Sequence, residues 1–327
     1  IAIIFYVALD GFDLGTGMLH LFTKTDRDRR VFLNAIGPVW DGNEVWLVIV
    51  AGGLLAGFPP VYATLLSGFY NLIMVFLCGL IFRAVAIEFR SKQTSLLWRK
   101  AWDITFSVAS FIIGFILGLG LGNLIQGVPL DQEGNFIGSF GLFFRPYPIL
   151  IGLFTTTLFI MHGSIYLAMK TEGVLHERLR IWVKLSIFLF VIIYFITTFS
   201  TWMFMPHMVE RIQEYRWLSL VPVAALLAIL NVPRLFSLKK DFQAFLFSCL
   251  GIILMLVVFG IGTFPNLVRS LVQPDLLSLN FLNASGSELN LTVLLIIVAI
   301  GLPFVFCYSA MIYRVFRGKV KIEASSY

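Results

Sequence analysis

The chain has 327 residues, of which 59% are hydrophobic, 15% aromatic and only 13% charged, about half the charge of a soluble globular domain at roughly 25%. Such a composition excludes a water-soluble core protein and points to a polytopic membrane protein. The net charge of +6 does not imply a nucleic-acid partner, because the basic residues form no run interleaved with aromatics; they sit in short connectors between apolar stretches.

Residue 1 already lies inside the apolar stretch "IAIIFYVAL". No cleavable signal peptide is visible, and the first helix is expected to begin before residue 1. Nine segments reach the ~20 apolar residues that a hydrocarbon core requires: 1–22, 31–58, 61–89, 101–126, 148–170, 181–203, 217–236, 242–264 and 289–316. The Phe58-Pro59-Pro60 corner separates the second from the third, because proline ends one helix and opens the next. Pro222 and Pro233 interrupt the seventh. The expected fold is all-α: one integral membrane domain over 1–327, with a first four-helix bundle in 1–126, a second in 148–264 and a ninth helix at 289–316.

Basic residues set the direction. Nineteen of the 24 Lys and Arg follow the odd-numbered spans, from Lys24, Arg27, Arg29 and Arg30 after the first to Arg314, Arg317, Lys319 and Lys321 after the ninth. Only Arg145, Arg211, Arg216 and Arg269 fall on the other side, and Arg83 lies within the membrane. The positive-inside rule then places the N-terminus outside and the C-terminus in the cytoplasm. The outer connectors 127–147, 204–216 and 265–288 are too short for a soluble catalytic domain. Cys78, Cys249 and Cys307 lie in apolar stretches without a CxxC pair, which reads as packing rather than metal or redox work.

Acids inside the membrane are costly and mark ion or proton pathways. Asp13 lies 11 residues before Lys24 and Asp41 lies 11 after Arg30, so both sit roughly 16 Å from the basic ends of neighbouring antiparallel helices. Asp10 and Glu44 are each 14 residues away, or roughly 21 Å. The acids form two rungs, and within each helix the i, i+3 spacing puts the pair on one face. Pro38, one turn before Asp41, should kink the second helix and free the carbonyl of Asn34. Gly11, Gly15 and Gly17 permit close approach on the first helix, as Gly37 and Gly42 do on the second. Two readings stand: a proton path, favoured because four carboxyls at paired depths exceed what one helix contact needs, and a structural polar cluster bonded to Asn43, Arg83 or Trp indoles.

Other residues read more blandly. His20 and His162 differ in depth, so they do not suit a haem sandwich and are expected in polar helix contacts. His176 and His207 fall in connectors and are expected to be solvated. Arg83, about 7 residues inside Arg90, either snorkels or pairs with a helix acid. The glycines of "GFILGLGLGN" follow no strand and read as helix packing, not as a dinucleotide fingerprint.

The stretches "LDGFDLGTGML" (9–19), "GPVWDGNEVWL" (37–47), "SGFYNLIMVFLCGLIFRAVAIEFRSK" (67–92) and "GNLIQGVP" (122–129) resemble subunit II of the cytochrome bd-type quinol oxidases, over nearly the whole chain. The resemblance implies the haem-free second subunit of a terminal respiratory oxidase in the bacterial or archaeal cell membrane, which oxidises quinol and reduces dioxygen to water. It implies a haem-bearing subunit I holding haems b558, b595 and d and the quinol site, with membrane lipid and a small single-helix subunit as further candidate partners. Some members hold a structural quinone in subunit II. The resemblance also implies a proton channel from the cytoplasm lined at Asp13 and Asp41, with Asp10 and Glu44 as deeper members and Trp40, Asn43 and Arg83 in support. Other members can carry glutamine at position 44, and the connectors after the fourth and sixth spans are short beside some of them. The alternative is a stand-alone proton-coupled transporter; against it, the acids concentrate in the first two spans with no counterpart in the fifth and sixth.

Overall fold

A computed structural model of the chain describes residues 1–322; the last five positions of the 1–327 span read from the sequence lie outside the described residues. The first half runs α1 (Ala2–His20), α2 (Asp26–Ile36), α3 (Trp40–Gly57), α4 (Pro59–Gly68), α5 (Tyr70–Phe89) and α6 (Leu96–Gln126). The second runs α7 (Pro146–Lys170), α8 (Gly173–Phe204), α9 (His207–Glu214), α10 (Leu220–Ser237), α11 (Asp241–Thr263), α12 (Pro274–Leu277) and α13 (Glu288–Val315). Eight helices among the described residues are long and apolar enough to cross a membrane, and there are up to nine if the α2–α3 pair, bent by 48°, is counted as one span. Helices dominate because a bilayer offers backbone groups no water, so each must be satisfied within its own segment.

The bend falls where Pro38 was expected to place it. Residues 37–39 are non-helical, and α3 restarts at Trp40. The third span is broken too, at Phe69 between α4 and α5, and it begins earlier than read, with Pro59 in its first turn. Similarly, α6 begins at Leu96 instead of 101, and α8 at Gly173 instead of 181. Hydropathy marks the hydrocarbon, not the helix. Arg99, Lys100, His176 and Arg178 extend helices into the polar interface, where Ser95 caps α6 by accepting from the Trp98 amide. Thr25 caps α2 likewise, with Asp26 and Asp28 in its first turn. Pro222 sits in the first turn of α10, where its missing N–H costs little.

α1 is the hub: it packs against α3, α6, α7 and α11. Two glycine seams bring backbones together. On α6, Gly114, Gly118 and Gly122 face Phe159, Ile151 and Pro148 of α7, so the glycine-rich stretch does serve helix packing. On α1, Gly15 lies against the backbone of Phe159 and Gly163.

The connectors hold more structure than the sequence suggested. The stretch 265–288 contains α12 and an antiparallel pair, β1 (Asn266–Val268) with β2 (Leu279–Asn280), and Val128 bridges to Ser270. The "GNLIQGVP" motif closes α6 there. Gly127 turns the chain at φ +91°, a conformation glycine adopts freely. Asn123 donates to the Phe143 carbonyl at 2.9 Å and accepts from Arg145 at 3.1 Å. His207 is not solvated as expected: its Nε2–H donates to the Ile125 carbonyl at 2.9 Å. Burial, aided by the Arg269 charge, pushes its pKa down. His176 is also partly buried, bonded to the Ala168 carbonyl at 2.9 Å.

Candidate functional site: a buried ion cluster

Asp10 and Asp13 face one way because three residues nearly complete a helical turn. Their face of α1 meets α3 and α5, and Arg83 of α5 reaches it fully buried. Snorkelling is therefore excluded, and the ion-pair alternative describes Arg83. It holds Asp10 through two bonds, Nη2 to Oδ1 at 2.6 Å and Nη1 to Oδ2 at 3.1 Å. This bidentate fork is the geometry in which guanidinium and carboxylate bind most strongly. The same guanidinium lies 4.0 Å from Asp13 and 3.8 Å from Glu44. One cation thus serves three carboxyls.

Asn43 carries the second tier. Its Nδ2 donates to Asp13 Oδ2 at 2.7 Å, and its Oδ1 accepts from the Tyr313 hydroxyl of α13 at 2.8 Å. Asp13 Oδ1, Thr16 Oγ1 and Arg83 Nε are buried without a partner among the described residues. Asn43→Leu would strip bonds from both Asp13 and Tyr313. The expected loss is about 1–3 kcal/mol, read as a lowered midpoint of thermal unfolding, with Tyr313→Phe costing less.

The rungs read from depth resolve unequally. Asp10 and Glu44 both converge on Arg83. Asp13 and Asp41 do not meet: Asp13 is fully buried, whereas Asp41 is exposed and makes no hydrogen bond or ion pair among the described residues. Trp40 is partly buried against the hydrophobic core.

Sequence reasoning missed a second buried cluster. Asp103 of α6 accepts from His20 Nε2, from Arg90 and, at 2.8 Å, from Arg29, while Arg90 also donates to Asp26 at 2.7 Å. These bonds tie the end of α1, the start of α2, the end of α5 and the start of α6. Asp103 lies three residues past Lys100, near the basic end of its helix. Its meeting with His20, 83 residues away, left no local signal.

His162 makes polar helix contacts as well: Nε2–H donates to the Ala8 carbonyl at 2.9 Å, and Nδ1 lies 2.8 Å from Ser248 Oγ. Both His162 nitrogens are thus engaged in helix contacts, and His20 Nε2 is bound to Asp103. Among the described residues no group of three His, Cys, Asp or Glu is placed to bind a metal.

The family model for cytochrome bd terminal oxidase subunit II matches residues 1–316. The chain belongs to that family. It is 30% identical to cytochrome bd-I ubiquinol oxidase subunit 2 of Escherichia coli (strain K12) over 354 residues, covering 99% of this chain and 93% of that protein. It is 34% identical to cytochrome bd ubiquinol oxidase subunit 2 of Bacillus subtilis (strain 168) over 326 residues, covering 98% and 94%. The fold matches the structure of bd oxidase from Geobacillus thermodenitrificans, with TM-score 0.76 at 14% identity over 97% of each chain. The resemblance seen in the "WDGN" and "GNLIQGVP" stretches is therefore one of membership. This cytochrome bd subunit II is an integral membrane component of an oxidoreductase complex and implies a subunit I as its partner. The transporter alternative gains nothing from these matches.

Proposed function

We propose that this subunit II braces the haem-bearing subunit of a quinol:O2 oxidase in the cell membrane and conducts cytoplasmic protons toward the oxygen-reducing site. The observation that carries this reading is the fully buried Asp10–Arg83–Asp13 cluster with Glu44 at its edge. A guanidinium compensates one carboxylate. Three carboxyls around it exceed what a structural pair needs, and membrane-buried ionisable groups of this kind default to function.

The orphaned atoms support the same reading. Asp13 Oδ1 and Thr16 Oγ1 recur one turn apart on α1, on the face that carries Asp10. Buried polar atoms of this kind are usually satisfied by ordered water, and water is what relays a proton between fixed groups. Asp41, exposed at the first turn of α3, is the entry group in this scheme, and Asp13 the first buried acceptor. Haems b558, b595 and d and the quinol are assigned to the partner. N-terminus outside and C-terminus inside puts the basic connectors, and the entry, on the cytoplasmic side.

Asp13→Asn keeps the Asn43 bond but removes the proton-carrying group. Oxygen turnover of the intact complex should fall about 10²-fold, the low end for loss of a positioned proton-transfer group, with the haem spectrum unchanged. Asp41→Asn should slow turnover less, since Asp41 makes no hydrogen bond or ion pair among the described residues and its loss leaves the buried cluster intact. Undiminished turnover in both variants would overturn the proton route and leave a bracing role alone.

A further inference from the structure

The strongest unassigned feature lies at the basic edge of α8, away from the ion cluster. A groove of about 550 Å³ is lined by Val174, Glu177, Arg178, Arg180, Ile181 and Lys184. Three cations share it with Glu177, which lies 3.6 Å from Arg180. Arg178 is held by Asp28 at 3.0 Å and Arg180 by the Phe236 carbonyl at 3.1 Å, so both guanidinium groups are positioned by the fold. Lys184 is exposed and has no ion pair or hydrogen bond among the described residues. A smaller cleft of about 270 Å³ adjoins it and shares Arg180 and Glu177; its further charges are balanced, Lys239 and Lys319 standing beside Glu172 and Asp241, with Lys319 3.5 Å from Asp241.

The surface running away from the groove is equally specific. Ile181, Leu185, Phe188, Ile192 and Phe195 are 59%, 62%, 68%, 39% and 56% exposed, and their 4-3-4-3 spacing makes one straight stripe along α8. It covers roughly 21 Å of helix, more than the ~15 Å of one leaflet's hydrocarbon. A partner helix packs where small residues let backbones approach. This stripe has only branched and aromatic side chains, which suit acyl chains instead.

We propose that this corner of α8 is a specific site for an anionic phospholipid. Its phosphate sits between Arg180 and Lys184, with Arg178 beside it, and its acyl chain lies along the stripe from Ile181. Basic pockets at the membrane edge of helical proteins recognise anionic headgroups in this way. The charge selects the headgroup, and the apolar stripe distinguishes a lipid from a free anion.

The test uses the whole oxidase complex in mild detergent, titrated with phosphatidylglycerol, phosphatidylcholine or inorganic phosphate and read by native mass spectrometry. Phosphatidylglycerol should stay bound at detergent levels that strip phosphatidylcholine. Lys184→Gln should weaken its retention roughly fivefold and Lys184→Gln with Arg180→Gln roughly 25-fold, following the strength of one basic residue near anionic lipid. Lys92→Gln, an exposed cation on another connector, should change nothing. Equal retention of the two lipids, or a double variant that holds phosphatidylglycerol as the parent does, overturns the proposal. So does inorganic phosphate displacing the lipid at millimolar concentration, which would assign the groove to a free anion. Lys184→Gln breaks no contact within the chain, so folding does not obscure its result.

Discussion

Arg83→Gln is expected to destabilise the subunit by roughly 3–5 kcal/mol, the usual cost of removing one partner from a buried ion pair. Arg83 and Asp10 are both fully buried, so neither water nor headgroups can take over the lost charge. Asp13 and Glu44 lie within 4.0 Å of the same guanidinium and lose their cation together with Asp10. Thermal unfolding of the complex should show the loss as a lower midpoint and lower yield. The double variant Asp10→Asn with Arg83→Gln should recover more than half of it, because an amide pair leaves no unpaired charge at that position. A double variant as unstable as Arg83→Gln alone would show that packing of the long side chain, not charge, sets the cost. Arg83→Lys should fall between, keeping the cation and losing the bidentate fork.

Gly15→Ala is the second large effect. A Cβ there would overlap the Phe159 carbonyl and press on the Cα of Gly163, backbone that cannot rotate away. α1 and α7 would have to separate along the seam that also seats His162 against Ala8. The expected cost is about 3 kcal/mol, the upper part of the range for overpacking. Gly163→Ala should match it, since its Cβ would meet the Gly15 backbone. Gly120→Ala is the control: nothing lies within 4 Å of the added carbon, so it should be neutral or stabilising by about 0.5–1 kcal/mol. If all three variants melt alike, close approach of α1 and α7 is not what holds the two halves together.

The sequence by itself determined the fold class, the apolar helices long enough to cross a membrane (eight, or up to nine with the bent pair counted as one), the bend at Pro38 and the family. Each rests on local information: runs of apolar residues, proline chemistry, and motif residues adjacent in the chain. It also placed Asp10, Asp13 and Glu44 in the membrane, because helical rise converts residue number directly into depth. Depth does not give rotation or tilt about the helix axis. Whether Asp13 turns inward while Asp41, at the same depth, turns outward depends on how α3 leans on α1 after a 48° bend. Tyr313 reaches Asn43 across 270 residues, and Asp103 reaches His20 across 83. In both pairs the partners come from different helices, and side-chain packing between them, which no local pattern encodes, selects which polar groups meet. That packing turned Arg83 from an isolated charge in an apolar helix into the centre of the buried cluster.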